Sequence, residues 1–281
     1  MEALYVVIHQ RKPNVDVLTR QLVAAMQAAG LHAYAEPWLW KQMGEESPSL
    51  FREGGPEQCE AVLSVGGDGT FLRGNAVATK HCLPILGINI GTVGFLAEME
   101  WEQLNAACRM LRENQFDIHE RMMLQAELEG RTWLALNDVV LSRGGYARLV
   151  GLSVSVNGEE VGPYIADGLI AATPTGSTGY SLSAGGPIVY PEVECIVLTP
   201  ICAHSLQHRP VIAAPTQRVE LRLAHGHTQE VHGTVDGQDA FFLEDGQRLL
   251  ITRAAQKARF IDMNARGFFS TIRIKLTEWS R

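Results

Sequence analysis

The 281-residue chain is short of several features that would place it in a class at once. No stretch approaches the roughly 20 apolar residues that a membrane-spanning helix needs. The five cysteines, Cys59, Cys82, Cys108, Cys195 and Cys202, are odd in number and contain no C-x-x-C pair. That spacing argues against a disulfide framework or a zinc ribbon, and buried, reduced thiols in a cytoplasmic protein are expected instead. Positive charge is also scarce: 24 Lys and Arg face 31 Asp and Glu, a net charge of −7. A general nucleic-acid binder carries a basic surplus, so neither nucleic acid nor membrane is expected as a partner. The segment Met1 to His9 has one short apolar run and no cleavage-type sequence, so no signal peptide is expected. The histidines place no H-x-x-x-H pair on a helix, which argues against an imidazole metal site.

The remaining composition is globular. Hydrophobic residues make up 46 % and charged residues 20 %, enough apolar surface for a core, and the length suits two domains. The first third alternates strand and helix patterns: Leu4–Ile8, a helix opened by Pro13-Asn14 and stopped at Gly30, Leu31–Ala35, Ala61–Val65, a helical stretch from Thr70 to about Ala78, and Ile85–Asn89. Crossover helices between such strands imply parallel pairing. Trp38 to Pro56 reads as irregular, broken by Gly44, Pro48, Gly54, Gly55 and Pro56. From about Met122 the period changes to two. Thr132–Leu141 reads as one strand, Leu152–Val156 alternates, and Asn157-Gly158 is a strong hairpin signal. Leu169–Ala172, Ile196–Thr199, Val219–Leu223 and Arg248–Thr252 follow as short strands. The tail from Phe268 is helical again, with Phe268, Ile272, Leu276 and Trp279 on one stripe. The expected fold is a Rossmann-like α/β domain, residues 1–118 plus 262–281, and a β-sandwich domain, residues 119–261, with the final helix returning to the first.

Two segments carry the chemistry. Gly66-Gly67-Asp68-Gly69-Thr70 directly follows a strand and opens a helix. Glycines let the backbone approach phosphate oxygens, and a helix start offers unpaired N–H groups and a positive dipole end. No Gly-Lys-Ser/Thr completes a Walker loop, so a divalent cation, Mg²⁺ first among them, is expected to meet the phosphate charge. Asp68 is an odd neighbour for phosphate. It makes sense if it takes a proton from an attacking hydroxyl or helps hold the metal; the bland alternative is a turn whose Asp caps the helix. The second segment runs from Asp167 to Pro187 and is almost entirely small, hydroxyl-bearing or glycine. Having little to bury, it is expected to wrap a ligand rather than to build core. Asn137-Asp138 offers two hydrogen-bonding side chains, although such a pair alone is more often a turn.

Together these segments resemble the NAD kinase family. Val65–Leu72 is similar to its Gly-Gly-Asp-Gly signature, Gly87-Ile88-Asn89 through Gly91 and Gly94-Phe95-Leu96 to its next segment, and Asn137-Asp138 to its Asn-Glu/Asp pair. Asp167 to Pro187 resembles its long glycine- and serine-rich signature nearly residue for residue, and His204-Ser205-Leu206, Arg209-Pro210 and Asp236-Gly237-Gln238 fit later motifs. Gly-Gly-Asp-Gly alone is shared with phosphofructokinases and diacylglycerol-type lipid kinases; the long signature is the specific one. Two positions depart from the pattern: Gly179 stands where many members have Ala, and Ile165 where many have a basic residue.

The resemblance implies transfer of a phosphoryl group from ATP, or polyphosphate, to the adenosine 2′-hydroxyl of NAD⁺. It implies Asp68 as proton acceptor, with Gly66, Gly67 and Thr70 in the phosphate loop and Gly69 and Arg73 at the substrate. Asn137 and Asp138 would contact the adenosine. Asp167, Thr178, Gly179, Tyr180, Ser181, Leu182 and Ser183 would line the dinucleotide site, with Arg148 and Gln238 as further contributors. A homodimer or homotetramer is the family's habit. A lipid or sphingoid kinase would share the glycine–Asp loop but want an apolar acyl pocket, which the polar Thr178–Ser183 run does not offer. A non-catalytic dinucleotide sensor would gain nothing from a carboxylate beside phosphates.

Overall fold

The computed structural model describes the chain except for residues 92–93, 98, 145–148, 206–207, 225–230, 264–266 and 280–281 and the side chains of 239, 278 and 279. The chain divides into two compact units, Met1–Glu120 with Ala258–Arg281, and Arg121–Lys257.

The first unit opens with β1 (Ala3–Ile8), α1 (Val15–Ala28), β2 (His32–Ala35), α2 (Pro37–Met43), α3 (Ser47–Leu50), β3 (Ala61–Gly66), α4 (Asp68–Lys80), β4 (Ile85–Asn89), β5 (Met99–Glu100) and α5 (Leu104–Glu113). The strands lie in the order β5-β4-β3-β1-β2 and pair in parallel. β1 through β4 are almost wholly buried, which is why they read as continuous apolar runs rather than alternating ones. α1 buries Leu18, Leu22, Val23 and Met26 against this sheet. It ends where Gly30, at φ +74°, reverses the chain and Leu31 N–H reaches the Met26 carbonyl at 2.8 Å. Asn14 starts the helix without a side-chain capping bond; its carbonyl takes the Leu18 N–H instead.

Trp38 to Pro56 is not irregular. Pro37 sits at the first turn of α2, where a missing N–H does no harm, Leu39 and Met43 are buried, and Gly44 at φ +55° ends the helix. The breakers punctuate short helices rather than forbid them. The cysteine expectation also needs correcting: Cys59, Cys108 and Cys195 are buried, but Cys82 and Cys202 are exposed. Both exposed thiols occupy positive-φ positions, at +56° and +47°, where the chain turns at the surface.

The second unit contains β6 (Asp117–Leu128, entering from the first), β7 (Arg131–Ala135), β8 (Asp138–Arg143), β9 (Val150–Val156), β10 (Glu159–Ala166), β11 (Gly168–Ala172), α6 (Tyr180–Ser183), β12 (Ile196–Ile201), β13 (Val211–Ala213), β14 (Val219–Leu223), β15 (Val231–Val235), β16 (Gln238–Leu243) and β17 (Leu249–Asp262, which leaves for the first). One sheet runs β10-β9-β14-β17 and the other β13-β12-β11-β8-β15-β16; the pairings within this unit are antiparallel. Inward residues of both sheets, Val139, Leu141, Leu152, Val154, Leu169, Leu198, Leu221 and Ile251, form a shared core, the sandwich arrangement. The second sheet is covered on its outer face as well, where Val140, Ile170 and Val197 pack with Val189 and Cys195. Asn157 and Gly158, at φ +52° and +83°, make the β9–β10 hairpin, as their turn chemistry requires.

Two strands differ from the sequence reading. Thr132–Leu141 is divided into β7 and β8 at Leu136-Asn137, and Arg248–Thr252 is the start of the 14-residue β17. The final helix, α7 (Phe268–Trp279), belongs to the first unit. Its apolar stripe is only partly covered, with Leu276 43 % exposed, and Phe269 beside the stripe is 71 % exposed.

Candidate active site

The first unit places its glycine loop at a topological switch point. From β1 the chain moves to β2 on one side and then to β3 on the other, and ligands of open parallel sheets bind outside the carboxyl ends of strands at such a crevice. Gly66 ends β3 and Asp68 is the first residue of α4. The glycines have separate reasons. A Cβ on Gly66 would collide with the buried Thr70 side chain, whereas a Cβ on Gly67 or Gly69 would meet nothing within 4 Å. Gly66 is thus needed for the turn, and Gly67 and Gly69 leave open space at the helix start. Thr70 and Phe71 N–H close onto the Gly67 carbonyl at 2.9 and 3.1 Å; the N–H groups ahead of them are those a helix start leaves without an intrahelical partner. Farther along, Gly74 lets α4 approach Ser64 and Ile85.

Asp68 does not cap the helix: the cap position is Gly67 and no side chain bonds there. Its carboxylate reaches the segment after β4, accepting Phe95 N–H at 3.0 Å and Leu96 N–H at 3.1 Å. Gly94 is required there, since a Cβ would collide with the Asp68 carboxyl. Gly87 likewise admits the Phe71 ring and the Ala97 backbone. The motif segments Gly66–Thr70 and Gly87–Leu96 are therefore one construction built around Asp68.

Arg73 is engaged within its own unit. It donates to the Ile8 carbonyl at 2.6 Å and to Glu36 at 3.0 Å, leaving its Nε buried without a partner among the described residues. Glu36 also accepts from the Trp38 indole at 2.9 Å. The sequence reading overlooked Lys12. It lines a cavity of about 270 Å³ with Asn14, Asn89, Glu100 and Trp101, and its Nζ donates to the Ile90 carbonyl at 3.2 Å.

In the second unit, Asn137 and Asp138 stand at the β7–β8 break, which the rest of the unit creates. Asp236 accepts the N–H groups of Leu136, Asn137 and Asp138 at 2.9, 2.7 and 3.2 Å. From the other side, Thr173 Oγ1 donates to the Leu136 carbonyl at 2.5 Å and Thr173 N–H to the Asn137 carbonyl at 2.8 Å. Gly176 must be glycine because a Cβ would strike the Asn137 backbone. Asn137 Oδ1 is buried with no partner among the described residues, an acceptor awaiting a donor. Burial, with the nearby Asp236 charge, pushes the Asp138 carboxyl up to about 7. Burial raises Asp236 as well, against the pull of its three N–H donors.

The glycine- and hydroxyl-rich run is not the wholly ligand-facing loop expected from its poverty in apolar side chains. Thr173, Thr175, Ser177, Thr178 and Ser181 are buried, and the hydroxyls of Thr173, Ser177, Thr178 and Ser181 are satisfied internally. Ser177 Oγ donates to the Pro174 carbonyl at 2.6 Å and accepts Val189 N–H at 3.0 Å; Thr178 Oγ1 donates to the Thr175 carbonyl; Ser181 and Thr199 hydroxyls are 2.8 Å apart. What the run presents outward is Gly179, Tyr180, Leu182 and Ser183, with Tyr180 48 % exposed. Asp167 pairs with Arg143 at 3.3 Å, and Gln238 is exposed at the start of β16. Arg148 lies outside the described residues.

A doubly wound unit with an aspartate-bearing glycine loop, and a β-sandwich with a carboxyamide–carboxyl pair, define a phosphotransferase of nucleotide type. Residues 40–116 match the model of the ATP-NAD kinase N-terminal domain and residues 136–263 that of the ATP-NAD kinase C-terminal domain. The chain is 36 % identical to the NAD kinase of Geotalea daltonii, covering 98 % of this chain and 97 % of that one. It is 42 % identical to that of Desulforamulus reducens over 79 % and 78 %. An NAD kinase from Archaeoglobus fulgidus, solved in complex with ATP, is 26 % identical with a TM-score of 0.75, covering 97 % of this chain and 99 % of that one. Yeast NADH kinase, solved with NADH, has the same fold, with a TM-score of 0.87 at 24 % identity over 97 % and 86 %. The chain belongs to the NAD kinase family, the ATP-dependent 2′-phosphotransferases of NAD.

Proposed function

We propose that Asp68 is the base of this reaction: it orients the adenosine 2′-hydroxyl of NAD⁺ and accepts its proton as the oxygen attacks the γ-phosphorus of ATP. The new bond joins that oxygen to phosphorus, the bond to the β–γ bridging oxygen breaks, and the products are NADP⁺ and ADP. The observation that carries the reading is the placement of the carboxylate. Two backbone N–H bonds hold it beside the open space over Gly67 and Gly69, and a positioned carboxylate within reach of a hydroxyl is what proton removal requires. Gly66, Gly67 and Thr70 form the phosphate loop, with Gly69 and Arg73 beside the substrate.

The second unit supplies dinucleotide recognition. Asn137 Oδ1, lacking a donor among the described residues, suits an amine of the adenine, and the Asp138 carboxyl suits a hydroxyl. Asp167, Thr178, Gly179, Tyr180, Ser181, Leu182 and Ser183 line the remainder, Thr178 and Ser181 by shaping the turn. Arg148 and Gln238 complete the set. We retain the sequence-based division of labour, residues 1–118 with 262–281 for the phosphate loop and 119–261 for the dinucleotide.

Mg²⁺ or another divalent cation would offset phosphate charge. Among the described residues no three His, Cys, Asp or Glu side chains gather as a metal cage, which fits a cation held largely by triphosphate oxygens and water, with Asp68 the loop carboxylate able to share in holding it. ATP is the donor and polyphosphate an alternative. The reading is completed by a cytoplasmic location, in keeping with five free cysteines, and by a homodimer or homotetramer. Incubating the purified protein with ATP, Mg²⁺ and NAD⁺, then adding a dehydrogenase strictly dependent on NADP⁺, tests it. Reduced NADP appears if the reading holds. Its absence, with NAD⁺ still bound, leaves a dinucleotide sensor.

A further inference from the structure

Asp236 lies about a hundred residues downstream of the Asn137-Asp138 pair and meets it across the second sheet. Its carboxylate takes three consecutive backbone N–H groups: Oδ2 accepts from Leu136, and Oδ1 from Asn137 and Asp138. Its own N–H returns to the Asp138 carbonyl at 3.0 Å. Thr173 holds the opposite edge through the carbonyls of Leu136 and Asn137. The Leu136–Asp138 backbone is thus fixed from both sides, and the side chains left to act are Asn137, whose Oδ1 has no partner among the described residues, and the buried Asp138.

The clamping carboxylate also acts on a second buried carboxyl group: after burial itself, its charge is the cause of the rise of Asp138 to about 7. Other titratable groups on the packed elements are few. β11 carries none; β8 has Arg143 at its far end, engaged with Asp167. β15 has His232, opposite Ser142. The Thr173–Ser183 turn has Tyr180, which is exposed; β7 has Arg131, also exposed, and β16 has Asp239.

We propose that Asp236 is a positioning residue for dinucleotide binding, clamping the Leu136–Asp138 backbone and governing through its charge the protonation of Asp138. The proposal rests on the dinucleotide reading above. It makes the affinity for NAD⁺ depend on pH near neutrality through Asp138, with Asp236 setting where that dependence falls.

The test is equilibrium binding of NAD⁺ by calorimetry, from roughly pH 5 to 9, for the whole protein and two variants, each checked for folding by circular dichroism. The unsubstituted protein should show an inflection in Kd near neutrality. Asp236→Asn keeps one acceptor oxygen but loses the charge. Its Kd should rise on the order of tenfold and its inflection move down by about one pH unit, the electrostatic signature that a merely structural tie would not give. Asp138→Asn should show no inflection, and this variant carries the test if Asp236→Asn fails to fold. An unsubstituted protein without an inflection overturns the proposal. So does an inflection unmoved in folded Asp236→Asn or persisting in Asp138→Asn. If NAD⁺ does not bind at all, both this proposal and the functional reading fail; binding with the expected pH behaviour but no NADP⁺ formation defeats only the latter.

Discussion

Asp68 Oδ1 accepts the backbone N–H of Leu96 at 3.1 Å, tying the first residue of α4 to the segment that follows β4. With the companion bond from Phe95 at 3.0 Å, two backbone N–H groups hold the carboxylate in one orientation. A group held in this way suits repeated proton transfer, because orientation is already fixed when substrate arrives.

Asp68→Asn is nearly isosteric but removes both basicity and charge, and its amide would turn a donor toward one of those two N–H groups. General-base assistance is typically worth about 10²–10⁴ in rate, so kcat should fall by roughly that factor while the Kd for NAD⁺ changes much less. Steady-state kinetics with a separate binding measurement decides the point. Near-normal turnover would make Asp68 a structural tie between α4 and the β4 segment.

Gly94→Ala probes the same geometry without touching the carboxylate. The added methyl would collide with the Asp68 carboxyl, so the aspartate must turn away or the backbone must move. Misplacing a catalytic group by about 1 Å can cost on the order of 10²-fold in rate, and kcat is expected to drop by that order with NAD⁺ binding largely retained. Full activity in the purified variant would show that the Asp68 orientation seen here is not the working one.

The dinucleotide side should respond differently. Tyr180 is exposed and Asp167 faces Arg143 at 3.3 Å. Tyr180→Phe and Asp167→Ala should each weaken NAD⁺ binding by about 1–3 kcal/mol, seen mainly as a higher KM with modest change in kcat. A large loss of kcat at constant KM in either variant contradicts a binding role.

Local chemistry explains which parts were legible in the sequence. Asn157-Gly158 announces its hairpin because the positive φ values it needs belong to those two residues. β1, β3 and β4 are readable because both faces are buried, and Gly66–Thr70 because a strand, a glycine turn and a helix are contiguous. What was hidden depends on distant partners. The β7–β8 break at Leu136-Asn137 is imposed by Asp236 and Thr173, so residues 132–141 look like one strand when read alone. The hydroxyl-rich run reads as wrapping a ligand rather than building core because its internal bonds, such as Ser181 to Thr199, leave no periodic trace. Arg73 is coupled to Glu36 across β1, a pairing with no sequence spacing to reveal it. α2 was missed because its seven residues are too few to establish a period beside Pro37 and Gly44.

Asp138 makes the last prediction. The residue is 6 % exposed, and its carboxyl group is pushed up to about 7 from an ordinary 3.8 by burial and by the Asp236 charge. An acid whose folded value lies above its unfolded one binds its proton more tightly in the native state. Between the two values the folded protein therefore holds a proton that the unfolded chain has released, and stability falls as pH rises through that window. The stabilisation is complete below the unfolded value and gone above the folded one. At 1.36 kcal/mol per unit the total is on the order of a few kcal/mol. Asp138→Asn cannot ionise and should escape this loss: relative to the unsubstituted protein, its denaturation midpoint should gain steadily as pH rises from about 4 to about 7, the gain levelling off near pH 8. Parallel pH profiles for the two proteins would show that Asp138 ionises in the folded state as readily as in water. The buried pair at the β7–β8 break would then exert no electrostatic strain on the fold.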